Sequence, residues 1–357
     1  MTIKEIKIEL INELSKDIPI NDEVLIYGAG NTSLLYEKCF INENINILYF
    51  VDNNPSKIGN DFLGKEVISV ESMINNYSEK TILISSANMY TFKEIKCKLD
   101  SLGINNYSID EYVFHKNMDN IIKIFDMLND DISKITYANV ILARMGRKEL
   151  DLSLVNKDQY FAINEFAVFA SNEVFVDCGA YVGDTIEKYL FVKSGIFDKI
   201  YAFEPEPRNF TAMQYRTDRL NREWALSEEK ITLINAGIGR TSKISFVSGT
   251  NNDMAALGSK INENGLGSQI EIYSLDDYFK NQKITFLKAD IESYEESMLL
   301  GAKQIIARDR PKIAVCIYHN AADMYRIPAL IHKLDSSYKL DIRQHYGNLT
   351  ETVLYAY

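Results

Sequence analysis

The sequence predicts an α/β protein with two doubly wound parallel sheets, one in each half of the chain. Two segments repeat one order of features: an apolar run, a glycine turn and a helical pattern. The first is Glu23–Tyr27 followed by Gly28–Gly30, and the second is Glu173–Asp177 followed by a turn that ends at Gly183. Neither run alternates polar and apolar residues, which is typical of strands buried on both faces. We therefore expect two Rossmann-like domains.

The rest of the first half fits this interpretation. Apolar runs predict further strands at Ile47–Val51, Thr81–Ser86 and Asn105–Ile109, with a helix from about Tyr90 to a glycine cap at Gly103. Their alternation with helical patterns is typical of βαβ units.

From about residue 111 the pattern changes to that of a helical segment. Ile121, Ile124, Phe125 and Leu128 recur at the spacing of one helix face, and residues 111–150 contain no proline. We predict a first domain over residues 1–112, a helical linker or cap over 113–158 and a second domain over 159–357.

The composition of the chain limits the binding partners and the cellular location that we expect. The chain has 357 residues, with 39 basic against 50 acidic side chains, so its formal net charge of −11 repels nucleic acid and anionic membranes. We expect no membrane span, and because the first residues lack the apolar core of a signal peptide, we expect a cytoplasmic location. The four cysteines are too scattered for a metal site, so we expect buried, reduced thiols and no metal.

The second half contains the clearer ligand signal. Gly179 and Gly183 follow an apolar strand, and Glu204 ends the next predicted strand, Lys199–Phe203, 21 residues after Gly183. Glycines let the backbone approach a ligand, and an acid at this spacing binds ribose hydroxyls in nucleotide-binding βαβ units. Alternatively, the glycines only permit close packing and Glu204 is a solvated strand end. The combination favours binding.

Six motifs follow one another along this half of the chain. They are VFVDCGAYVGDT from Val174, AFEPEPRNF from Ala202, LINAGIG from Leu233, LKADIESYE from Leu287, IYHN from Ile317 and ETVLYA from Glu351. From about Tyr160 to the C-terminus, these motifs and their order resemble those of the FkbM group of class I S-adenosylmethionine-dependent methyltransferases. Ser293 stands where the group usually has glycine, and we expect only a minor backbone adjustment there.

The resemblance implies S-adenosylmethionine as the cofactor and a sheet that ends in an antiparallel pair, about Lys339–Gln344 with Thr352–Tyr357. It also implies a site at the carboxyl ends of the strands. Asp177, Gly179, Ala180 and Gly183 would bind the amino-acid end of the cofactor, and Glu204 and Pro205 would bind its ribose. Asn235 and Ala236 would border its adenine. Asp290 would face its methionine moiety.

Methyl transfer to a hydroxyl group needs a base. The candidates for this base are Asp290, His319 and Glu292, with His345 as a weaker one. Alternatively, Asp290, His319 and Glu292 could bind a divalent cation, although their spacing does not support a metal site. The resemblance implies O-methylation of a sugar in a glycan, a nucleotide-linked sugar or a secondary metabolite.

Three further expectations concern less specific features. The aromatic pair Tyr160-Phe161 could form a lid over the cofactor or belong to the core, and Asn251–Met254 could border the acceptor pocket. A homodimer is a further expectation.

The first half carries an incomplete dinucleotide fingerprint. Gly28 and Gly30 follow the first strand, and Asp52 ends the second. The stretch around Asp52 resembles the Rossmann-like domains of sugar-nucleotide-modifying proteins, so these residues could bind a nucleotide, or the fold could serve only packing. Two rival functions follow: an NAD-dependent oxidoreductase that uses this domain, or a non-catalytic nucleotide-binding scaffold.

Overall fold

A computed structural model describes residues 2–16, 18, 23–86, 89–248, 260–262 and 268–357. The chain divides into two compact units. The first unit contains Met1–Asp126, Tyr137–Asp151 and His319–Tyr325, and the second contains Met127–Thr136, Leu152–Tyr318 and Arg326–Tyr357. The predicted domain boundaries stay a prediction, and Asn251–Met254 lies outside the described residues.

The first part of the chain alternates strands and helices, as its sequence pattern predicts. In chain order the elements are α1 (Ile3–Leu14), β1 (Val24–Tyr27), α2 (Asn31–Leu35), α3 (Glu37–Asn42), β2 (Ile47–Val51), β3 (Asp61–Phe62), β4 (Lys65–Ile68), α4 (Val70–Tyr77), β5 (Thr81–Ile84), α5 (Met89–Ser101), β6 (Asn106–Ser108), α6 (Ile109–Lys116), α7 (Met118–Met127) and α8 (Asp131–Arg144).

The strands of the first unit form a six-stranded sheet in the order β3-β4-β2-β1-β5-β6. All neighbours pair in parallel except β3 and β4. Leu25, Ile82 and Ile84 are fully or almost fully buried, as expected for central strands covered on both faces. The helical pattern after residue 111 is also confirmed, because Ile121, Ile124 and Phe125 form the buried face of α7.

The second unit supplies the remaining elements. They are a short 3-10 helix (Leu152–Leu154), α9 (Asn164–Ala167), β7 (Val174–Cys178), α10 (Asp184–Val192), β8 (Lys199–Phe203), α11 (Pro207–Glu223), a second 3-10 helix (Glu228–Lys230), β9 (Ile231–Ile234), β10 (Ala236–Ile238), β11 (Lys243–Ser248), β12 (Lys260–Asn262), β13 (Ser268–Tyr273), α12 (Leu275–Tyr278), β14 (Phe286–Ala289), α13 (Glu295–Leu300), α14 (Lys303–Asp309), β15 (Lys312–Cys316), α15 (Asp323–Leu334), β16 (Leu340–Gln344) and β17 (Thr352–Ala356).

A seven-stranded sheet organises the second unit, in the order β16-β17-β15-β14-β7-β8-β9. The five strands from β15 to β9 are parallel, and β17 runs antiparallel to both of its neighbours. This confirms the predicted antiparallel pair. Strands β10, β13, β11 and β12 form a separate four-stranded sheet. The predicted fold class, two doubly wound Rossmann-like sheets with a terminal hairpin in the second, is confirmed.

Aromatic side chains fill the core under the second sheet. The rings of Phe175 and Tyr189 stack with centroids 4.5 Å apart, and Phe286 packs against Phe175 at 4.7 Å. These contacts fix α10 against β7 and β14, so the glycine turn that precedes α10 has a rigid base. Among the described residues, no helix combines the length and the apolar character that crossing a bilayer requires.

Candidate cofactor site at the carboxyl ends of the second sheet

The glycine turn of the second unit lies where strands β7, β8 and β14 end. Gly179 and Gly183 both have a φ of +79°, a conformation that side chains disfavour. A Cβ atom on Gly179 would lie 1.9 Å from the carbonyl oxygen of Asp290. The amides of Gly179 and Ala180 both donate to the carbonyl of Phe203, at 3.0 and 2.9 Å. These contacts place the turn over the ends of all three strands.

Glu204 follows β8 and points its carboxylate toward this turn. Its Oε2 accepts a hydrogen bond from the amide of Tyr181 at 2.9 Å, and its Oε1 accepts one from the amide of Glu206 at 2.9 Å. The side chain is only 6 % exposed. Burial raises the pKa of Glu204 to about 7, although these amides lower it. The predicted ribose-binding acid therefore lies beside the glycine turn and titrates near neutrality.

Asp177 and Lys288 form a buried ion pair under the turn. Lys288 Nζ lies 2.9 Å from Asp177 Oδ1 and donates to the carbonyl of Gly179 at 2.7 Å. Burial raises the pKa of Asp177 despite the ammonium group beside it. Burial alone would lower the pKa of Lys288, but Asp177 and Asp290 outweigh it and raise that pKa. Lys288 belongs to the LKADIESYE motif, but the sequence does not indicate its contact with Asp177.

The side chain of Asn235 lies at the carboxyl end of the neighbouring strand β9. It lies between β9 and β10, and its amide donates to the carbonyls of Glu204 at 2.8 Å and Pro205 at 3.2 Å. Ala236, predicted to stand with it at the end of the third strand, instead opens β10 and is buried. Asn235 thus fixes the backbone that follows Glu204.

Asp290 lies at the end of β14, within a cluster of polar side chains. Its Oδ2 accepts a hydrogen bond from the hydroxyl of Tyr160 at 2.9 Å, and the hydroxyl of Tyr318 lies 3.5 Å from its Oδ1. The Tyr318 hydroxyl also donates to Glu351 at 3.1 Å. One ligand atom each of Asp290, Cys316 and Glu351 lies within 4.8 Å of the others. Burial and the nearby carboxylates raise the pKa of both tyrosines.

Asp290 and Glu292, two of the three catalytic candidates, therefore lie in the second unit. Glu292 lies two residues after Asp290, and its charge contributes to the raised pKa of Tyr318. His319 is buried in the segment 319–325, which groups with the first unit, so its catalytic role stays a prediction. Ser293 has a φ of +69°, which explains in physical terms why a glycine suits this position.

The candidate residues of the first unit come together, but around a lysine. Gly28 has a φ of +118°, and the amide of Ala29 donates to Asp52 Oδ2 at 3.1 Å. Lys57 Nζ lies 2.8 Å from the same oxygen and donates to the carbonyl of Ala29 at 2.7 Å. Part burial would raise the pKa of Asp52, but the hydrogen bond from Lys57 and those from two backbone amides outweigh it and lower that pKa. The acid predicted to bind a nucleotide thus already has an internal partner.

The sheet order, the glycine turn and the strand-end acid define the second unit as a class I methyltransferase domain. Residues 177–343 match the family model described as the methyltransferase FkbM domain. The chain therefore contains an S-adenosylmethionine-dependent methyltransferase domain of the FkbM type, and the resemblance seen in the motifs is confirmed. Residues 20–110 match a second model, described as C2185-like, N-terminal.

Solved structures match the chain to different extents. A methyltransferase FkbM from Methylobacillus flagellatus is 19% identical with a TM-score of 0.60, and the match covers 100% of this chain and 99% of that one. An rRNA methylase from Streptococcus thermophilus is 15% identical over 53% of this chain and 87% of its own, with a TM-score of 0.32. A UDP-D-quinovosamine 4-dehydrogenase from Vibrio fischeri is 23% identical over 26% and 84%, with a TM-score of 0.21. No curated protein matches the chain.

Proposed function

We propose that the second unit binds S-adenosylmethionine across the ends of β7, β8 and β14 and transfers its methyl group to a sugar hydroxyl. The observation that carries this proposal is the position of the Glu204 carboxylate beside the turn from Gly179 to Gly183. An ionised carboxylate has about four lone-pair sites; the backbone amides of Tyr181 and Glu206 use two of them, and the side-chain amide of Asn209, 3.4 Å from Oε1, uses a third. Oε2 keeps one site for a ribose hydroxyl, and a second hydroxyl would displace the long contact from Asn209.

The other residues fit the two ends of the same ligand. Asp177 is fully buried and held by Lys288, so its charge is fixed near the turn, where the amino group of the methionine moiety would lie. Asn235 and the backbone after Glu204 would border the adenine. When bound, the cofactor supplies an electrophilic methyl group on a positively charged sulfur.

The polar cluster at the end of β14 suits a sugar ring whose hydroxyls, and not a charged group, enter the cluster. Asp290 and Glu351 are carboxylates whose hydrogen-bond partners include tyrosine hydroxyls. The same oxygens can accept hydrogen bonds from sugar hydroxyls, whereas a phosphate or carboxylate there would be repelled. We propose that Asp290 takes the proton of the attacking hydroxyl, with His319 and Glu292 as the other candidates. A homodimer and a cytoplasmic location complete the proposal.

Calorimetric titration with S-adenosylmethionine, S-adenosylhomocysteine and NAD tests the cofactor site. The wild-type protein should bind both adenosyl ligands, and Glu204→Gln should weaken them at least about tenfold, because hydrogen bonds to a charged group are lost. Asp52→Asn is the matched control, since it changes the corresponding acid of the first unit. NAD binding that Asp52→Asn weakens and Glu204→Gln leaves intact would instead support the oxidoreductase.

Methyl transfer is then tested with sugars and nucleotide-linked sugars as acceptors. Mass spectrometry should detect products in which a methyl group replaces one hydroxyl hydrogen, and Asp290→Asn should abolish their formation while the protein still binds S-adenosylhomocysteine. Transfer to amines or carboxylates in place of hydroxyls would contradict the proposed acceptor.

A further inference from the structure

Tyr160 makes several contacts at the candidate site, including one of 3.6 Å between its hydroxyl and the sulfur of Cys316. Its hydroxyl donates to Asp290 Oδ2 at 2.9 Å, and its backbone amide donates to the hydroxyl of Tyr355, also at 2.9 Å. Its ring lies over Lys288, with Nζ 5.1 Å from the ring centroid. Lys288 is in turn paired with Asp177, so this one side chain contacts Asp290 directly and is linked to Asp177 through Lys288.

His345 extends the chain of hydrogen bonds behind Tyr160. Its Nδ1 contacts the carbonyl of Asn156, which can only accept, so Nδ1 carries the hydrogen. Its Nε2 therefore accepts from the hydroxyl of Tyr355 at 2.8 Å. Burial lowers the pKa of His345 to about 4, which makes the ring neutral at pH 7. His345, a weak candidate for the base, instead serves as a buried acceptor that orients Tyr355.

The backbone of Tyr160 is also unusual. Its φ is +66°, a left-handed conformation that costs on the order of 1 kcal/mol for a residue with a bulky side chain. Tyr160 is only 5 % exposed, and Tyr355 is fully buried. The hydrogen bonds to Tyr355 and Asp290 hold Tyr160 in this conformation. Backbone strain that the surrounding contacts hold in place is common at ligand-binding sites, where it keeps a side chain in its binding position.

We propose that Tyr160 is a positioning residue that fixes the Asp290 carboxylate toward the sulfonium of the cofactor and that Tyr355 and His345 hold Tyr160 in place. This inference rests on the proposed function. A hydroxyl that donates to a carboxylate stabilises its charged form and limits its rotation. The fixed negative charge attracts the positively charged sulfur of S-adenosylmethionine, but it has no comparable attraction for the neutral thioether of S-adenosylhomocysteine.

The affinity ratio of these two ligands measures the effect. Tyr160→Phe keeps the ring over Lys288 and removes only the hydroxyl, so the preference for S-adenosylmethionine should fall about fivefold at pH 7.5 while the affinity for S-adenosylhomocysteine stays within about twofold. Tyr355→Phe, which frees the amide of Tyr160, should shift the ratio in the same direction. In an Asp290→Asn background, Tyr160→Phe should leave the ratio unchanged.

Tyr189→Phe is the matched control. The Tyr189 hydroxyl also donates to a carboxylate in a buried setting, at 2.8 Å to Glu173, which precedes β7 at the opposite end of the strand. This variant should lower the melting temperature without moving the ratio.

Equal losses of both ligands in Tyr160→Phe would overturn the inference, because Tyr160 would then only shape the pocket, and the proposed function would stand. A ratio shift that persists in the Asp290→Asn background would overturn it as well. If the wild-type protein binds neither ligand, the proposed function fails, and the inference fails with it.

Discussion

The pKa of Glu204 predicts how cofactor binding depends on pH. Burial raises this pKa from 4.5 to about 7. If the ionised form accepts the ribose hydroxyls, the affinity is proportional to the ionised fraction, which falls about tenfold between pH 8 and pH 6 for a pKa near 7. The dissociation constant of S-adenosylhomocysteine should therefore rise about tenfold over this range. In Glu204→Gln the affinity should be lower at pH 8 and lack this dependence.

The same residue predicts an opposite effect on stability. Because the folded-state pKa is raised above 4.5, the folded protein binds this proton more tightly than the unfolded chain does. The resulting stabilisation is present at low pH and is lost as the pH rises through about 7. The shift of this pKa from 4.5 to about 7 corresponds to about 3 kcal/mol in the free energy of unfolding. At pH 8 the ligand-free Glu204→Gln variant should therefore melt several degrees above the wild type, and this gain should shrink toward pH 5.

Calorimetry at pH 6, 7 and 8 and melting curves over the same range provide the two measurements. The amino group of the ligand also titrates near pH 8, but its contribution cancels in the ratio of wild-type to variant affinity. A ratio that stays constant from pH 6 to pH 8 would refute the reasoning, because Glu204 would then be ionised throughout.

Three other substitutions have expected outcomes. Gly179→Ala should abolish binding of S-adenosylhomocysteine in calorimetry, because its Cβ would lie 1.9 Å from the Asp290 carbonyl; affinity at the wild-type level would contradict the geometry. Ser293→Gly should raise the melting temperature by about 2–4 °C, since it relieves a φ of +69°; a lower value would show that the serine side chain matters more than the strain. Glu173→Gln should cost about 3–5 kcal/mol in urea unfolding, because buried Lys193 loses its partner at 2.9 Å, and it should leave ligand affinity unchanged.

The sequence predicted the elements that depend on local pattern. Strands β2 and β8 have the predicted bounds, because a buried strand of a parallel sheet is a continuous apolar run that polar residues end. The strand-end residue Glu204 was found for the same reason, whereas Asp290 came from the motif resemblance. Strand β15 ends at Cys316, although the apolar run of the sequence continues to Tyr318.

Contacts between distant residues could not be predicted in this way. Tyr160 and Asp290 are 130 positions apart, and no spacing rule connects them. The sequence also does not predict the left-handed backbone conformation of Tyr160, because tyrosine has no preference for it. The network of Glu173 with Lys193 and Lys312 was missed because its charged residues look like ordinary surface positions until the fold buries them.

The two units show why a fingerprint alone does not identify a cofactor site. Each has a glycine turn with an acid at the end of its second strand, and the acids are Asp52 and Glu204. Lys57 is paired with Asp52 and reaches the carbonyl of Ala29, so a ribose would have to displace a charged partner. The hydrogen-bond donors to Glu204 are instead neutral amides, which leaves its charge available to hydroxyl groups. Because a ribose would have to break an ion pair in the first unit but only add hydrogen bonds in the second, we expect the second unit to be the better nucleoside site.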